Sequence, residues 1–289
     1  MPFPPPPPGG FPEERVVWVF GHPRSGTTWL VQLLTDGLNL RLWNEPYLGQ
    51  ILGFANLLKD NEPGRFDDPT FWMSHPQEEN WRASLNTLFM DVIARQAGPA
   101  AGFAGLAIKE PNGTVVAPLI VKAMPQAKFV FMLRDPRDVI ASLIDARKPG
   151  SWMGERVHEE FNRTKVVNQS IKRFLRIAEG LKEVRALAPG RLYEMRYERL
   201  RSDPLAEMNH LAHVLGLPCD TAVLRKAIER HDYERIPAER KGPGRFVRTA
   251  RVGGWQEELE AGEIAAIHRQ LGTFLNGLGY PVPTGGEGG

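Results

Sequence analysis

Along the chain, short unbroken apolar runs alternate with stretches of helical periodicity. Residues 15–20 (RVVWVF), 105–109 (GLAIK), 128–133 (KFVFML) and 191–196 (RLYEMR) read as strands. The stretch LNLRLWNEP adds another strand, with Glu45 at its end. Apolar residues recur at helical spacing over 27–38, 115–124, 139–147 and a long segment near 161–187. Strands alternating with helices predict an α/β fold, a three-layer α/β/α arrangement around a central parallel sheet. No internal repeat or composition break divides the chain between residue 12 and about 283, so residues 14–283 are expected as one domain.

Residues 47–98 depart from this rhythm. They are loop-rich and carry Phe54, Phe66, Phe71, Trp72, Trp81 and Phe89. The segment 47–100 reads as an insertion or cap with helices of its own, and most of its aromatics are expected to form its core. The stretches 148–155 (KPGSWMGE) and 239–251 (ERKGPGRFVRTAR) are further candidate loops.

Composition narrows the function classes. The 289 residues carry a net charge of +2 with acids and bases intermixed, which argues against a nucleic-acid-binding stripe. Affinity for anions must therefore be local. A single cysteine, Cys219, rules out an intrachain disulfide and suits a reducing, cytoplasmic setting. The seven histidines form no metal-ligand pattern, so no metal is expected. No apolar run approaches the roughly 20 residues of a membrane span. The proline-rich residues 1–13 and the glycine-rich 284–289 are expected to be disordered tails.

The candidate chemistry starts at RVVWVFGHPRSGTTWLVQLL, residues 15–34. A strand, a glycine-bounded turn and a helix place backbone N–H groups and a helix N-terminus at one point, a geometry that binds anions. Gly21 and Gly26 have the spacing of the nucleoside-triphosphate loop G-x-x-x-x-G-K-[ST], but Thr27 stands in the lysine's place and Arg24 lies inside the turn. In KFVFMLRDPRD, Arg134 follows the apolar run. Asp135 fits a helix start, with Pro136 at the first helical position, better than a magnesium ligand. Two readings stay open on the residues: a triphosphate loop that lost its lysine, or a loop for another donor.

PRSGTTWL and LRDPRDVIASLI together resemble the two donor-binding motifs of the sulfotransferase family. RTARVGGWQEEL is similar to that family's C-terminal arginine–glycine–tryptophan element, with Thr249 and Ala250 replacing its lysine–glycine pair. The resemblance spans residues 15 to about 260. It implies a P-loop-like fold and, as donor, 3′-phosphoadenosine 5′-phosphosulfate (PAPS), with release of adenosine 3′,5′-bisphosphate. Carried over, Arg24, Ser25, Gly26, Thr27 and Thr28 would hold the 5′-phosphosulfate, and Trp29 would stack on adenine. Arg134, Ser142 and either Arg248 or Arg251 would hold the 3′-phosphate, and Tyr197 would contact the nucleotide. No metal is needed where cationic side chains supply the charge.

The acceptor side departs from the cytosolic members. Their histidine base follows a lysine after a strand; here LAIKEPNG keeps Lys109 but has Pro111 in the histidine's place. Glu45, 21 residues after Arg24, resembles the glutamate of tyrosylprotein sulfotransferases and bacterial relatives. Glu110 is its rival. The expectation is Glu45 as base, with Lys109 and Arg24 stabilising the leaving group. The acceptor is expected to be a hydroxyl compound: a carbohydrate, a lipid or another small molecule. The alternatives are a kinase-like or triphosphatase-like phosphotransferase, and an inactive nucleotide-binding relative.

Overall fold

The structure is a computed structural model that describes residues 8–156 and 160–282. Its elements are β1 (Val16–Gly21), α1 (Thr27–Leu38), β2 (Leu40–Asn44), α2 (Gly53–Asn61), α3 (Glu78–Gln96), β3 (Gly105–Lys109), α4 (Ala117–Ala123) and β4 (Lys128–Leu133). They continue as α5 (Pro136–Arg147), α6 (Arg163–Leu187), β5 (Leu192–Arg196), α7 (Tyr197–Ser202), α8 (Pro204–Val214), α9 (Thr221–Arg230), α10 (Trp255–Glu258) and α11 (Ala261–Gly277).

Two compact units form where one domain is expected: residues up to Met132 with Gly180–Arg230, and Leu133–Glu179 with the chain from His231 onward. The three divisions fall at the end of β4, inside α6 and at the end of α9. None of these places carries the Pro/Gly/Ser composition that marks a linker, so the sequence gives no sign of them.

The first unit holds a five-stranded sheet in the order β2-β3-β1-β4-β5. β1 pairs in parallel with β3 and β4, and β2 with β3. All six β1 residues are buried, as a central parallel strand requires. Alternation along β1 sends Val17 and Val19 to one face, into a cluster with Leu30, Leu34, Met195 and Leu211. Trp18 and Phe20 take the other face, where the Trp18 ring lies 5.9 Å from Phe89 of α3.

Residues 47–100 carry helices of their own, α2 and α3, and that contact ties α3 to the sheet. Trp81, Leu85, Phe89 and Ile93 are buried at four-residue spacing, so α3 presents one apolar stripe, and Phe89 brings that stripe onto the sheet rather than into a separate cap. Phe66 and Phe71 pack on each other edge to face at 5.3 Å, whereas Phe54 and Trp72 are exposed.

The helix expected over 115–124 is also shorter. A 3-10 turn, Pro111–Val116, precedes α4, because Pro111 and Pro118 supply no N–H to a longer helix. The expected N-terminal tail lies outside the described residues over 1–7. Beyond them Phe11 is buried, and the Glu13 carboxylate accepts from the Gln126 N–H at 2.6 Å and the Asn86 amide at 2.8 Å. The tail expected over 284–289 lies outside the described residues.

In the second unit Asp135 caps α5, accepting from the Arg137 N–H at 2.9 Å, with Pro136 at the first position as expected. A capping box between Glu260 and Glu263 starts α11. The two expected loops meet: Trp152 N–H donates to the Gly244 carbonyl at 3.0 Å, and the Trp152 and Phe246 rings lie 5.0 Å apart.

Candidate active site

The turn between β1 and α1 is a fixed cradle. At Gly21 (φ 152°) a Cβ would lie 2.8 Å from the Met132 carbonyl oxygen and from Ser25 Oγ. At Gly26 (φ 103°) it would lie 2.5 Å from the Tyr197 ring. Only glycine fits either place. Arg24 adopts φ 76° without being glycine, which points to a backbone held for function. Gly26 is the N-cap of α1 and no side chain caps the helix, so its first N–H groups face outward as an anion site. Thr27 is buried and Thr28 half-buried just inside. The buried Ser25 hydroxyl has no hydrogen-bond partner among the described residues. An orphaned hydroxyl in such a loop fits a ligand that completes it.

Thr114, which the sequence reading missed, holds the cradle from below. Its hydroxyl accepts from the Gly21 N–H at 2.9 Å and donates toward the Gly21 and Pro111 carbonyls at 2.8 and 2.9 Å. Tyr197 is buried with its ring packed against Gly26, under the turn. Trp29 is half-buried, edge-on to Tyr197 at 6.3 Å and covered by the Arg201 guanidinium at 5.5 Å.

At the carboxyl ends of β2 and β3 the expected catalytic pair is joined. Asn44 lies opposite Lys109, and the Glu45 N–H donates to the Lys109 carbonyl at 2.9 Å. Lys109 Nζ reaches Glu45 Oε1 at 2.5 Å, and the Asn112 amide donates to Oε2 at 3.3 Å. The Glu45 side chain is 28 % exposed and Lys109 6 %. Ligands of open parallel sheets bind at this edge. The turn Pro111–Val116 thus carries Asn112 to the pair and Thr114 to the cradle. A small polar residue after Lys109 was the available signal for Asn112; the Thr114 contact spans 93 residues and left none.

Glu110 points the other way. It has no exposed surface, and its Cγ lies under Gly113. Burial raises its pKa from 4.5 to about 7, and the charge of Glu45 adds to the rise; N–H groups of Gly49, Leu48 and Gly113 offset part of it.

In the second unit Arg134 donates to the Arg251 carbonyl at 2.9 Å and lies 3.9 Å from Asp138. Asp138, unforeseen, accepts from the Gly253 and Trp255 N–H groups at 2.8 and 3.0 Å, and burial raises its pKa. Arg248 pairs with Glu258, and Arg251 with Glu257 at 2.5 Å. Ser142 is buried in α5. Trp255 is a packing anchor: the Arg137 guanidinium sits 4.1 Å above its ring. Among the described residues no three His, Cys, Asp or Glu side chains group as a metal site, and no helix is long and apolar enough to cross a membrane.

A glycine cradle before a helix N-terminus, at the carboxyl edge of a parallel sheet that also carries a buried lysine paired with a half-buried carboxylate, defines an anion-binding α/β protein. The sulfotransferase family's sequence profile matches residues 17–221, more than half of the chain; the chain belongs to the sulfotransferase family and is an enzyme of sulfuryl transfer. Among curated proteins it is similar to a putative protein-tyrosine sulfotransferase of Caenorhabditis briggsae, 27 % identical over 228 residues, covering 78 % of this chain and 72 % of the relative. It also resembles the omega-hydroxy-beta-dihydromenaquinone-9 sulfotransferase Stf3 of Mycobacterium tuberculosis, 29 % identical over 55 % of this chain and 40 % of that one. Of solved structures, sulfotransferase STF9 from Mycobacterium avium matches with TM-score 0.56 at 16 % identity, covering 92 % of this chain and 77 % of that one. Mouse sulfotransferase SULT7A1 complexed with PAP matches with TM-score 0.53 at 11 % identity, covering 91 % and 85 %. At such identities the likeness concerns the fold.

Proposed function

We propose that the chain transfers the sulfuryl group of PAPS to a hydroxyl acceptor, in line, on the P-loop-like cradle Gly21–Gly26. Arg24, Ser25, Gly26, Thr27 and Thr28 hold the 5′-phosphosulfate, and Trp29 faces adenine. Arg134 and Ser142, with Arg248 or Arg251, take the 3′-phosphate; this assignment rests on the motif resemblance. The acceptor oxygen bonds to sulfur as the bond from sulfur to the bridging phosphate oxygen breaks. Arg24 and Lys109 stabilise the charge that builds on that oxygen, and Glu45 accepts the hydroxyl proton.

The observation that carries the reading is the Lys109–Glu45 pair at 2.5 Å on the sheet edge, with the glycine cradle in the same unit. Positioning supplies much of such a rate enhancement, and Asn112 and Thr114 fix both parts from one turn. Glu45 is favoured over Glu110 because a base must reach the acceptor, and Glu110 has no exposed surface. Solved relatives bound to PAP, and to retinol in one case, are consistent with this donor and with an alcohol acceptor. The lone Cys219 suits a cytoplasmic enzyme.

The test compares thermal shifts with adenosine 3′,5′-bisphosphate and with ATP–Mg²⁺. A larger shift with the bisphosphate is expected; preference for ATP–Mg²⁺ overturns the reading in favour of a phosphotransferase. Bisphosphate binding without turnover on any acceptor points to an inactive relative.

A further inference from the structure

Glu110 is a buried acid that the proposed reaction leaves unused. It has no exposed surface, and among the described residues neither carboxyl oxygen has a partner in full hydrogen-bond geometry. What favours its charged form is the backbone N–H groups of Gly49, Leu48 and Gly113. A carboxyl kept from water costs free energy, so one retained in a core calls for an explanation. Its place in the fold supplies one. Lys109 and Glu110 are consecutive, and their side chains part: Lys109 reaches Glu45, and Glu110 lies where two turns meet. One is the 3-10 turn Leu48–Leu52, just after Glu45; the other is Pro111–Val116, which carries Asn112 and Thr114. They touch backbone to backbone. A Cβ at Gly49 would lie 2.8 Å from Gly113 Cα, and one at Gly113 would lie 2.8 Å from Glu110 Cγ.

The first N–H groups of a helical turn have no partner within it. Tyr47, the N-cap residue of Leu48–Leu52, supplies no side-chain cap. The Glu110 carboxyl faces the Leu48 and Gly49 N–H groups from across the contact instead. The stretch from Glu45 to Gly49 is thereby held at both ends, since the Glu45 N–H donates to the Lys109 carbonyl at 2.9 Å. Between these holds, Glu45 (φ 49°) and Tyr47 (φ 60°) both adopt the left-handed conformation that side-chain-bearing residues avoid, on either side of Pro46. Such a bend persists only where its surroundings impose it. Releasing one end lets the bend relax and moves the Glu45 carboxylate.

We propose that Glu110 is a positioning residue for Glu45: its carboxyl pins the turn Leu48–Leu52 onto the turn Pro111–Val116 and so fixes the bend from which Glu45 meets the acceptor. The inference rests on Glu45 as the base. Glu110 touches neither donor nor acceptor and acts through the backbone alone. Neighbouring residues at the end of β3 thus divide the work: Lys109 holds the Glu45 carboxylate, and Glu110 holds the chain that carries it.

The test is a double-mutant cycle read as release of adenosine 3′,5′-bisphosphate from PAPS, with phenol as the probe acceptor, or water where phenol is not taken. Hydrogen exchange at the Leu48 and Gly49 amides is followed beside it. Glu110→Ala should lower kcat about a hundredfold, the scale of a catalytic group displaced by about 1 Å, with the KM for PAPS and the bisphosphate thermal shift retained. Exchange at both amides should quicken by about tenfold or more as the turn opens locally. Glu110→Gln keeps an oxygen for the N–H groups and should restore most of the rate. Gly49→Ala, whose Cβ would press on Gly113, should part the turns and reproduce the loss of kcat with Glu110 intact. In a Glu45→Gln background, Glu110→Ala should cost no more of the residual rate, because the group it positions is gone. Equal losses in both backgrounds make Glu110 merely structural and overturn the proposal. Unchanged exchange in Glu110→Ala overturns it too, and leaves Glu45 as the base. Full activity of Glu45→Gln overturns the reading of Glu45 as the base, and the proposal with it, even where exchange is fast in Glu110→Ala.

Discussion

In the first unit an anion meets a cradle already shaped: Gly21 and Gly26 admit no side chain, Thr114 clamps the turn, and Ser25 Oγ has no partner among the described residues. In the second unit every cation proposed for phosphate has an occupation of its own. Arg134 holds the Arg251 carbonyl, Arg248 holds Glu258 and Arg251 holds Glu257. A preorganised site spends nothing on rearrangement as charge develops, whereas a site of partnered cations must exchange one anion for another. The first arrangement suits the transition state; the second suits selective binding of a ground-state phosphate.

The largest effect should separate these roles. Arg24→Ala and Lys109→Ala should each lower kcat by about a thousandfold, with the circular-dichroism spectrum unchanged. Arg134→Ala should instead raise the KM for PAPS roughly tenfold, the scale of a lost charge-assisted hydrogen bond, with a smaller change in kcat. Steady-state kinetics reads the split; equal losses of kcat in the two regions would erase the distinction.

The same contrast governs what the sequence reveals. The bounds 27–38, 105–109 and 128–133 coincide with α1, β3 and β4, because the helical spacing of the first and the apolar runs of the other two stop at a turn. The cradle, Lys109 and Glu45 are legible since each rests on a local motif at a strand end, whereas the pairing of Lys109 with Glu45 spans 64 residues and is not. The partners of the second unit are not. Asp138 reads as an ordinary first-turn acid until Gly253 and Trp255 donate to it across more than 110 residues. Glu257 and Glu258 read as solvated charges, and nothing local says which arginine each will take. Nor is the place of Tyr197 legible, since a ring under Gly26 and a ring beside a nucleotide have the same sequence signature.

Glu110 sharpens the comparison at an intermediate scale, since it is a buried acid in the otherwise preorganised unit. Its folded pKa, raised by burial to about 7 from 4.5, means the folded chain keeps a proton that the unfolded chain releases. Stability should therefore fall as pH rises from about 4.5 to about 7 and level off above, by about 3 kcal/mol across the interval. Glu110→Gln cannot ionise. Its urea stability relative to the native chain should improve between pH 4.5 and about 7 and hold level above, while transfer at neutral pH persists. An unchanged pH slope would show the carboxyl to be solvated, and loss of all transfer would make Glu110 the base.

The smallest effect concerns which arginine of the second unit meets phosphate. Arg251 and Glu257 are 52 % and 65 % exposed, so water and salt already screen their attraction. Arg248 is 9 % exposed and its partner Glu258 32 %, so their pairing is felt more strongly. A phosphate that takes Arg248 must displace Glu258. Glu258→Gln should then tighten adenosine 3′,5′-bisphosphate binding by roughly threefold, the scale of a partly exposed ion pair, and Glu257→Gln should leave it unchanged. Calorimetric titration of both variants reads the difference. Tighter binding in Glu257→Gln alone would assign the phosphate to Arg251. Weaker binding in Glu258→Gln would mean the carboxylate orients Arg248 for the ligand rather than competing with it, and the second unit would then be as preorganised as the first.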